Sequence, residues 1–360
     1  MTQRDIAKFR MLAQQIAKPE LKSAPEMVAY FGAIQGQEYA QTKWSLGLRM
    51  PHLTDADIEK DLNEGRILRT HLLRPTWHFV APEDIRWMLM LTGPRVEAIN
   101  AYMYRKMELD NATFNQCNTI MQRALEGGKH LTREALSQEF LKNNIQADGT
   151  RLVCIMMKAE LEGLICSGAR QGNQFTYALL EERVSPVSKK ERDEALAELS
   201  QRYFISHGPA TAKDFSTWSG LSLTDCKKGI EMVKTHLAEE KIESETYYFS
   251  PKLNLDTATF GQLQLLPIYD EMIMGYKNRE ALMQYRNTVQ PGKRLRYDNT
   301  LLFDGQVIGS WRRKIKPKVI DLEYEFLEQP DKKQESEFEK ALLRFEKFYE
   351  LPINTINNSQ

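Results

Sequence analysis

The sequence predicts an α+β protein, predominantly helical, and three observations carry that reading. Helical periodicity followed by short β-branched and aromatic runs occurs three times in succession up to about residue 255. Pro and Ser punctuate the chain between these blocks, most openly at Ser185–Ser188. Beyond about Leu263 the pattern changes to short apolar strands closed by one amphipathic helix. Several helices and then a hairpin is the order of a winged helix-turn-helix. The expected organisation is therefore three tandem winged helix-turn-helix units, residues 1–110, 111–185 and 186–255, followed by a β-rich C-terminal region, 256–360.

In the first unit, helical periodicity marks Asp5–Ala17, Pro25–Ala33 and Tyr39–Leu48, and Thr54 caps a short helix that Gly65 stops. RILRTHLLRPTWHFVAP, interrupted by Pro75, reads as a two-stranded wing. Pro82 and Pro94 are each placed to open a helix, Pro82–Leu91 and Pro94–Leu109. The second unit has helices over Phe114–Leu125, after a Thr132 cap, and over Arg151–Leu161, then two strands in LEGLICSGARQGNQFTYALLEER. The third has Glu191–Ile205, two helices capped by Thr211 and Ser222, and a strand in EEKIESETYYFS. At the C-terminal end, LQLLPIYDEMIMGY and TLLFDGQVIGSWRRKI read as strands, the second folded at Asp304–Gly305. Helix Glu335–Tyr349 follows, and NTINNSQ is expected to fray.

Composition narrows the function. A hydrophobic share of 42% with 27% charged residues describes a globular protein, and no apolar run reaches the roughly 18 residues of a membrane span. The N-terminus lacks a signal-peptide apolar region, so a cytoplasmic location is expected. Cys117, Cys154, Cys166 and Cys226 form no CxxC pair and the histidines are scattered, so neither metal, disulfide nor cofactor is expected. Forty-nine basic and 49 acidic residues cancel, so net charge gives no support for nucleic-acid binding. Local charge differs: SWRRKIKPK, with Arg312 and Arg313, carries five basic residues and no acid.

The pair with the strongest geometric constraint is Gln35 and Gln37. Side chains two apart on one helix diverge by roughly 200°, so the two carboxamides can converge only if the backbone changes between them, at Gly36. Converging carboxamides could hold water or a polar ligand. In the wing, Arg69 and Arg74 are candidates for phosphate contacts, and His78 for a phosphate or base edge. Trp77 is a candidate to stack or wedge, or else to fill the core, and Thr76 lies among them. Asp270 and Glu271 follow an apolar strand. A general-base role is open there, with a structural turn or an ion pair to Arg279 or Arg312 favoured. GxSxG, P-loop and Rossmann fingerprints are absent. Winged helices most often bind double-stranded DNA, though some are protein-interaction modules. No membrane and no obligate protein partner is expected.

IQGQEYAQTKWSLGLR resembles the Gln-x-Gln region of the AlkZ-like winged-helix DNA glycosylases. RTHLLRPTWHFVAPEDIRWMLMLTGPR, RYFISHGPATAKDFSTWSGLS, LLPIYDEMIMGYKNR and DGQVIGSWRR resemble later stretches of that family in the same order. The resemblance implies tandem winged helices around DNA, excision of N7-alkylated purines, unhooking of interstrand crosslinks by some members, and chemistry carried by Gln35 and Gln37. A non-catalytic DNA-binding regulator is the alternative. Gly36 stands where the characterised enzymes tend to carry an aliphatic side chain, and it is expected to loosen the local backbone. Lys43 lies two helical turns from the glutamines, so a Schiff-base lyase step is not expected.

Overall fold

The computed structural model describes residues 1–283 and 299–357 and has an α+β architecture. The N-terminal helices are α1 (Gln3–Ala13), α2 (Ala24–Phe31), α3 (Tyr39–Arg49) and α4 (Asp55–Asn63). Thr2 and Thr54 each accept from the backbone three residues on, and Asp5 and Asp57 reach back, so both starts are closed by capping boxes. The expected hairpin forms, with β2 (Leu68–Leu72) antiparallel to β3 (Thr76–Val80). A third strand, β1 (Ala33–Gln35), pairs with the other edge of β3, giving the order β1-β3-β2. That strand is three residues long, too short to show an alternating pattern in the sequence.

Helix α5 (Pro82–Lys106) runs straight through Pro94, so the two helices expected there are one. Pro94 removes one intrahelical donor, but Met90, four residues earlier, lies at the surface where water can serve its carbonyl. Leu89, Leu91 and Val96 bury both halves of the helix in the same core. The middle of the chain follows as α6 (Asn111–Leu125), β4 (Leu131–Thr132), α7 (Arg133–Lys142), α8 (Gly149–Leu161), β5 (Ile165–Ser167), β6 (Thr176–Leu179) and α9 (Leu180–Arg183). Next come α10 (Arg192–His207), α11 (Ala212–Ser219) and α12 (Leu223–Val233), then a hairpin of β7 (Ala238–Ile242) and β8 (Glu245–Phe249) where a single strand was expected.

The C-terminal sheet has the order β13-β12-β11-β10-β9. Its strands are β9 (Leu263–Leu266), β10 (Thr300–Phe303), β11 (Gln306–Ile315), β12 (Ile320–Phe326) and β13 (Ile353–Asn357). Asp304 and Gly305 both take positive φ, 51° and 79°, as the two-residue turn between twisted strands requires. Residues 353–357 do not fray. Helix α14 (Lys332–Tyr349) supplies the long crossover that lets β13 pair parallel to β12; residues 358–360 lie outside the described set. The strand expected through IYDEMIM also gives way. β9 stops at Leu266, and Asp270 caps a helical turn, α13 (Glu271–Met274), by accepting from Met272 N.

One core joins the N-terminal elements to this sheet: Met27, Phe31 and Trp44 pack with Leu265, Leu301, Trp311 and Phe345. Trp44 Nε1 donates to Leu265 O at 2.7 Å, and its ring meets Phe345 edge-on. A buried ion pair fixes the same junction. Arg49 grips Asp270 with two parallel hydrogen bonds of 2.8 and 2.9 Å, and Ser45 donates to the same carboxylate at 2.6 Å. The acidic pair's cation is therefore Arg49, not Arg279 or Arg312; Arg279 donates its Nε to Ile273 O. Burial works to raise the Asp270 carboxyl, but Arg49 and the hydrogen bonds outweigh it and leave it below its ordinary value.

A depressed carboxyl contributes stability that is present above its unfolded value of about 3.9 and is lost as pH falls through the folded value. Asp270→Asn is therefore expected to cost about 3–5 kcal/mol in urea unfolding at pH 7, by leaving Arg49 buried without its anion. It should also remove part of the wild-type decline below about pH 4. An identical acid decline in both proteins would contradict this assignment.

Candidate active site

The structure divides the two glutamines between different elements. Gln35 ends β1, opposite His78 on β3, and Gly36 N continues the pairing by donating to Trp77 O at 2.7 Å. The chain then turns through Gln37 and Glu38 into α3, where Thr42 Oγ1 donates back to Gln35 O at 3.0 Å. The backbone change thus falls between the glutamines, as their spacing required. Gly36 does not achieve it through a left-handed conformation, since its φ is not positive.

Close approach is what constrains Gly36. A Cβ there would lie 3.1 Å from the Phe79 ring and 3.2 Å from the His78 carbonyl carbon. Phe79, wholly buried, crowds the position where a side chain at 36 would start. The peptide is also pinned on both sides, because Arg69 Nε donates to Gly36 O at 3.0 Å. Gly36 is thus tied through both its N–H and its carbonyl.

Gln35 is held at two points. Its backbone N–H donates to Glu271 Oε1 at 2.8 Å, and its side-chain Oε1 accepts from Arg74 Nη2 at 3.2 Å. Arginine only donates, so the amide oxygen must face it, and among the described residues the NH2 is the part of Gln35 without a partner. Arg74 is steadied by Thr217 O at 3.1 Å. Burial draws its guanidinium below its ordinary value, against the pull of nearby Glu271. Gln37 is half-buried, and its carboxamide makes no hydrogen bond among the described residues. One carboxamide is oriented and the other is available.

Glu271 was legible in the sequence only as part of an acidic pair. It is 1% exposed, and besides Gln35 its carboxylate accepts from Trp218 Nε1 at 3.0 Å and faces His207 Nε2 at 3.3 Å. Burial lowers the His207 pKa despite Glu271 beside it. Its neighbour Asp270 points elsewhere, to Arg49, so the two carboxylates serve different elements.

The wing residues gather here, but not as a free tip. Arg69 is buried over the Trp77 ring, 4.2 Å from its centroid, and Trp77 also packs on His71. His78 is 1% exposed, so its ring offers no surface to a phosphate. Its Nδ1 donates to Thr76 O at 2.9 Å, and burial together with the nearby Arg74 charge holds its pKa well below the usual value. Thr76 is half-buried, and its Oγ1 has no hydrogen-bond partner among the described residues. Arg312 and Arg313 lie on β11 instead, where Arg312 is exposed and Arg313 packs over Tyr349 at 4.8 Å. Neither hydrogen-bonds the glutamine step. Among the described residues no group of three or more His, Cys, Asp or Glu is placed to hold a metal ion.

Two carboxamides on a strand-to-helix step, with Arg74 and Arg69 bonded to that step, present amide donors and acceptors of the kind that hold water or a polar ligand. A family model described as DNA glycosylase AlkZ-like matches residues 28–348, and the chain belongs to that family. It is similar to the interstrand DNA cross-link repair glycosylase of Streptomyces sahachiroi, with 20% identity over 331 residues, 86% of this chain and 87% of that protein. The solved structure of Streptomyces sahachiroi DNA glycosylase AlkZ shares its fold, with a TM-score of 0.79 at 18% identity over 99% of this chain and 100% of that one. No helix among the described residues is long and apolar enough to cross a membrane.

Gly36→Ala should destabilise the protein by about 1 kcal/mol or more, because the neighbours must shift to admit the methyl. Shortening the opposing ring in a Gly36→Ala/Phe79→Leu double variant should recover part of that loss. Strictly additive costs in urea unfolding would show that Phe79 is not what excludes a side chain at this position.

Proposed function

We propose that the protein hydrolyses the N-glycosidic bond of N7-alkylated purines in double-stranded DNA, as a monofunctional glycosylase. The observation that carries this reading is the asymmetry of the glutamines: Gln35 is anchored by Glu271 and Arg74, whereas the Gln37 carboxamide has no hydrogen-bond partner among the described residues. An N7-alkylated purine is already cationic and leaves with little protonation. The remaining task is to present water to an oxocarbenium-like sugar carbon. Gln37 accepts from that water through Oε1 and donates through Nε2, which fixes its position without needing a strong base. Gln35, oxygen turned to Arg74, offers an N–H as a second fixed dipole.

Uncharged carboxamides give a cationic transition state less support than a carboxylate would. The reading therefore favours labile, cationic lesions over neutral damaged bases. Lys43, the lysine nearest to the glutamines in sequence, is committed to Asp55 and Glu59, which fits hydrolysis without strand cleavage. Organisation as three winged helix-turn-helix units with a β-rich end, dividing near residues 110, 185 and 255, would present these elements to a duplex. The Streptomyces relative's name extends the substrate range to interstrand crosslinks. Crosslinked bases resist extrusion, so a wing contact would replace full base flipping there.

Incubation with duplex DNA bearing N7-methylguanine tests the reading. Wild type should release the base well above the spontaneous rate, and Gln37→Ala should lower release by roughly a hundredfold, with a smaller loss for Gln35→Ala. No release by wild type at excess enzyme would reject the activity on this lesion and favour a non-catalytic DNA-binding role. Full release by both variants would move the chemistry away from the glutamines.

A further inference from the structure

Arg69 has more binding capacity than the protein uses. Its side chain is 8% exposed, and its guanidinium lies between the rings of Trp77 and Phe175, 4.2 and 4.7 Å from their centroids, with Tyr39 at 5.9 Å. Nε is committed to Gly36 O. Among the described residues Nη1 and Nη2 have no hydrogen-bond acceptor, and no carboxylate stands at salt-bridge distance. Glu160 and Glu38 act on the guanidinium only from beyond salt-bridge distance, so burial still draws it below its ordinary value, and aromatic faces offset the cost only in part. Stacking does fix the plane of the group, so its free edge has one direction.

Arg69 lines a cleft of about 310 Å³, to which the loop between β5 and β6 contributes Asn173, Gln174 and Phe175 and the start of α7 contributes Arg133 and Glu134. The same loop region is tied to the wing, because Ser167 Oγ accepts from Arg69 N at 2.8 Å. The cleft therefore lies between the first and second hairpins.

We propose that this cleft seats one phosphodiester of the substrate DNA, its two non-bridging oxygens taken by the paired Nη groups of Arg69, with the Asn173 and Gln174 amides as further donors. A flat guanidinium edge matches two phosphate oxygens. The consequence is mechanical. One guanidinium would then hold a DNA phosphate at one edge and, at the other, the carbonyl of the residue between Gln35 and Gln37. The register of the strand and the placement of the carboxamides are thereby set by a single side chain, which makes Arg69 a positioning residue. The inference rests on the glycosylase reading for its substrate, but its test does not depend on catalysis.

The test is equilibrium binding to a duplex with a central tetrahydrofuran abasic analogue and single methylphosphonates placed at successive positions on each strand. Wild type should lose about tenfold in affinity at one position near the analogue. Arg69→Gln should show that loss on the all-phosphate duplex and none further at that position, while remaining sensitive to neutral linkages elsewhere. Its slope of log affinity against log salt should be shallower by about 0.9. Arg69→Lys, which keeps the charge and guards against misfolding of the glutamine variant, should retain most of the salt slope and lower base release more than affinity.

Losses that simply add for Arg69→Gln and every methylphosphonate would overturn the proposal. So would stabilisation by millimolar inorganic phosphate that depends on Arg69 while no linkage is sensitive, which would give the cleft to a free anion. An intact cycle without base release would instead reject the glycosylase reading and leave the phosphate seat standing.

Discussion

The hydrogen bond from Gln35 N to the buried Glu271 carboxylate is the contact on which the site depends. It joins residues 236 positions apart in sequence, so the glutamine step is complete only when the C-terminal sheet has docked on the N-terminal elements. Everything around it enforces that docking. Asp270, next in the chain, is locked to Arg49 on α3, and Trp44 on the same helix donates into β9. The helix that follows Gln37 and the strand that precedes Glu271 are therefore fixed to each other before any ligand arrives.

Around that contact the arginines act as internal braces more than as an exposed DNA-binding face. Arg74 orients the Gln35 amide and Arg69 holds the Gly36 carbonyl. The β2–β3 hairpin thus presents different side chains on its two faces. Gln35 and His78 share one side of the β1-β3-β2 sheet, while Arg69 and Trp77 occupy the other, as a period of two requires. Neutral net charge is compatible with this design, since these arginines are bonded within the fold rather than spread over a diffuse basic surface.

Most helices were legible from caps and periodicity, and Thr54, Thr132, Thr211 and Ser222 each cap where the sequence placed them. The misses have physical causes. Strand β1 is too short to show alternation, and Pro94 marks a helix start by local rules that core packing on both sides overrides. β13 reads as a polar tail because it is an exposed edge strand, ordered by backbone pairing rather than by apolar side chains. In the site, Gln35 and Gln37 stood out because their spacing conflicts with a helix. Glu271 did not, because its role is set by a partner that local pattern cannot reveal. Gly36 was read as backbone freedom, whereas the constraint is the Phe79 ring, again a tertiary neighbour.

The most direct measurement is single-turnover release of N7-methylguanine by Glu271→Gln, set beside its affinity for the same duplex. The variant keeps size and one acceptor, but an amide NH2 cannot accept from Trp218 Nε1, so the grip on Gln35 N is disturbed. The account requires release at least about tenfold slower with duplex affinity unchanged and the fold intact, since the contact positions a carboxamide and touches no DNA. A folded variant that releases base at the wild-type rate would show that Glu271 does not position the glutamines.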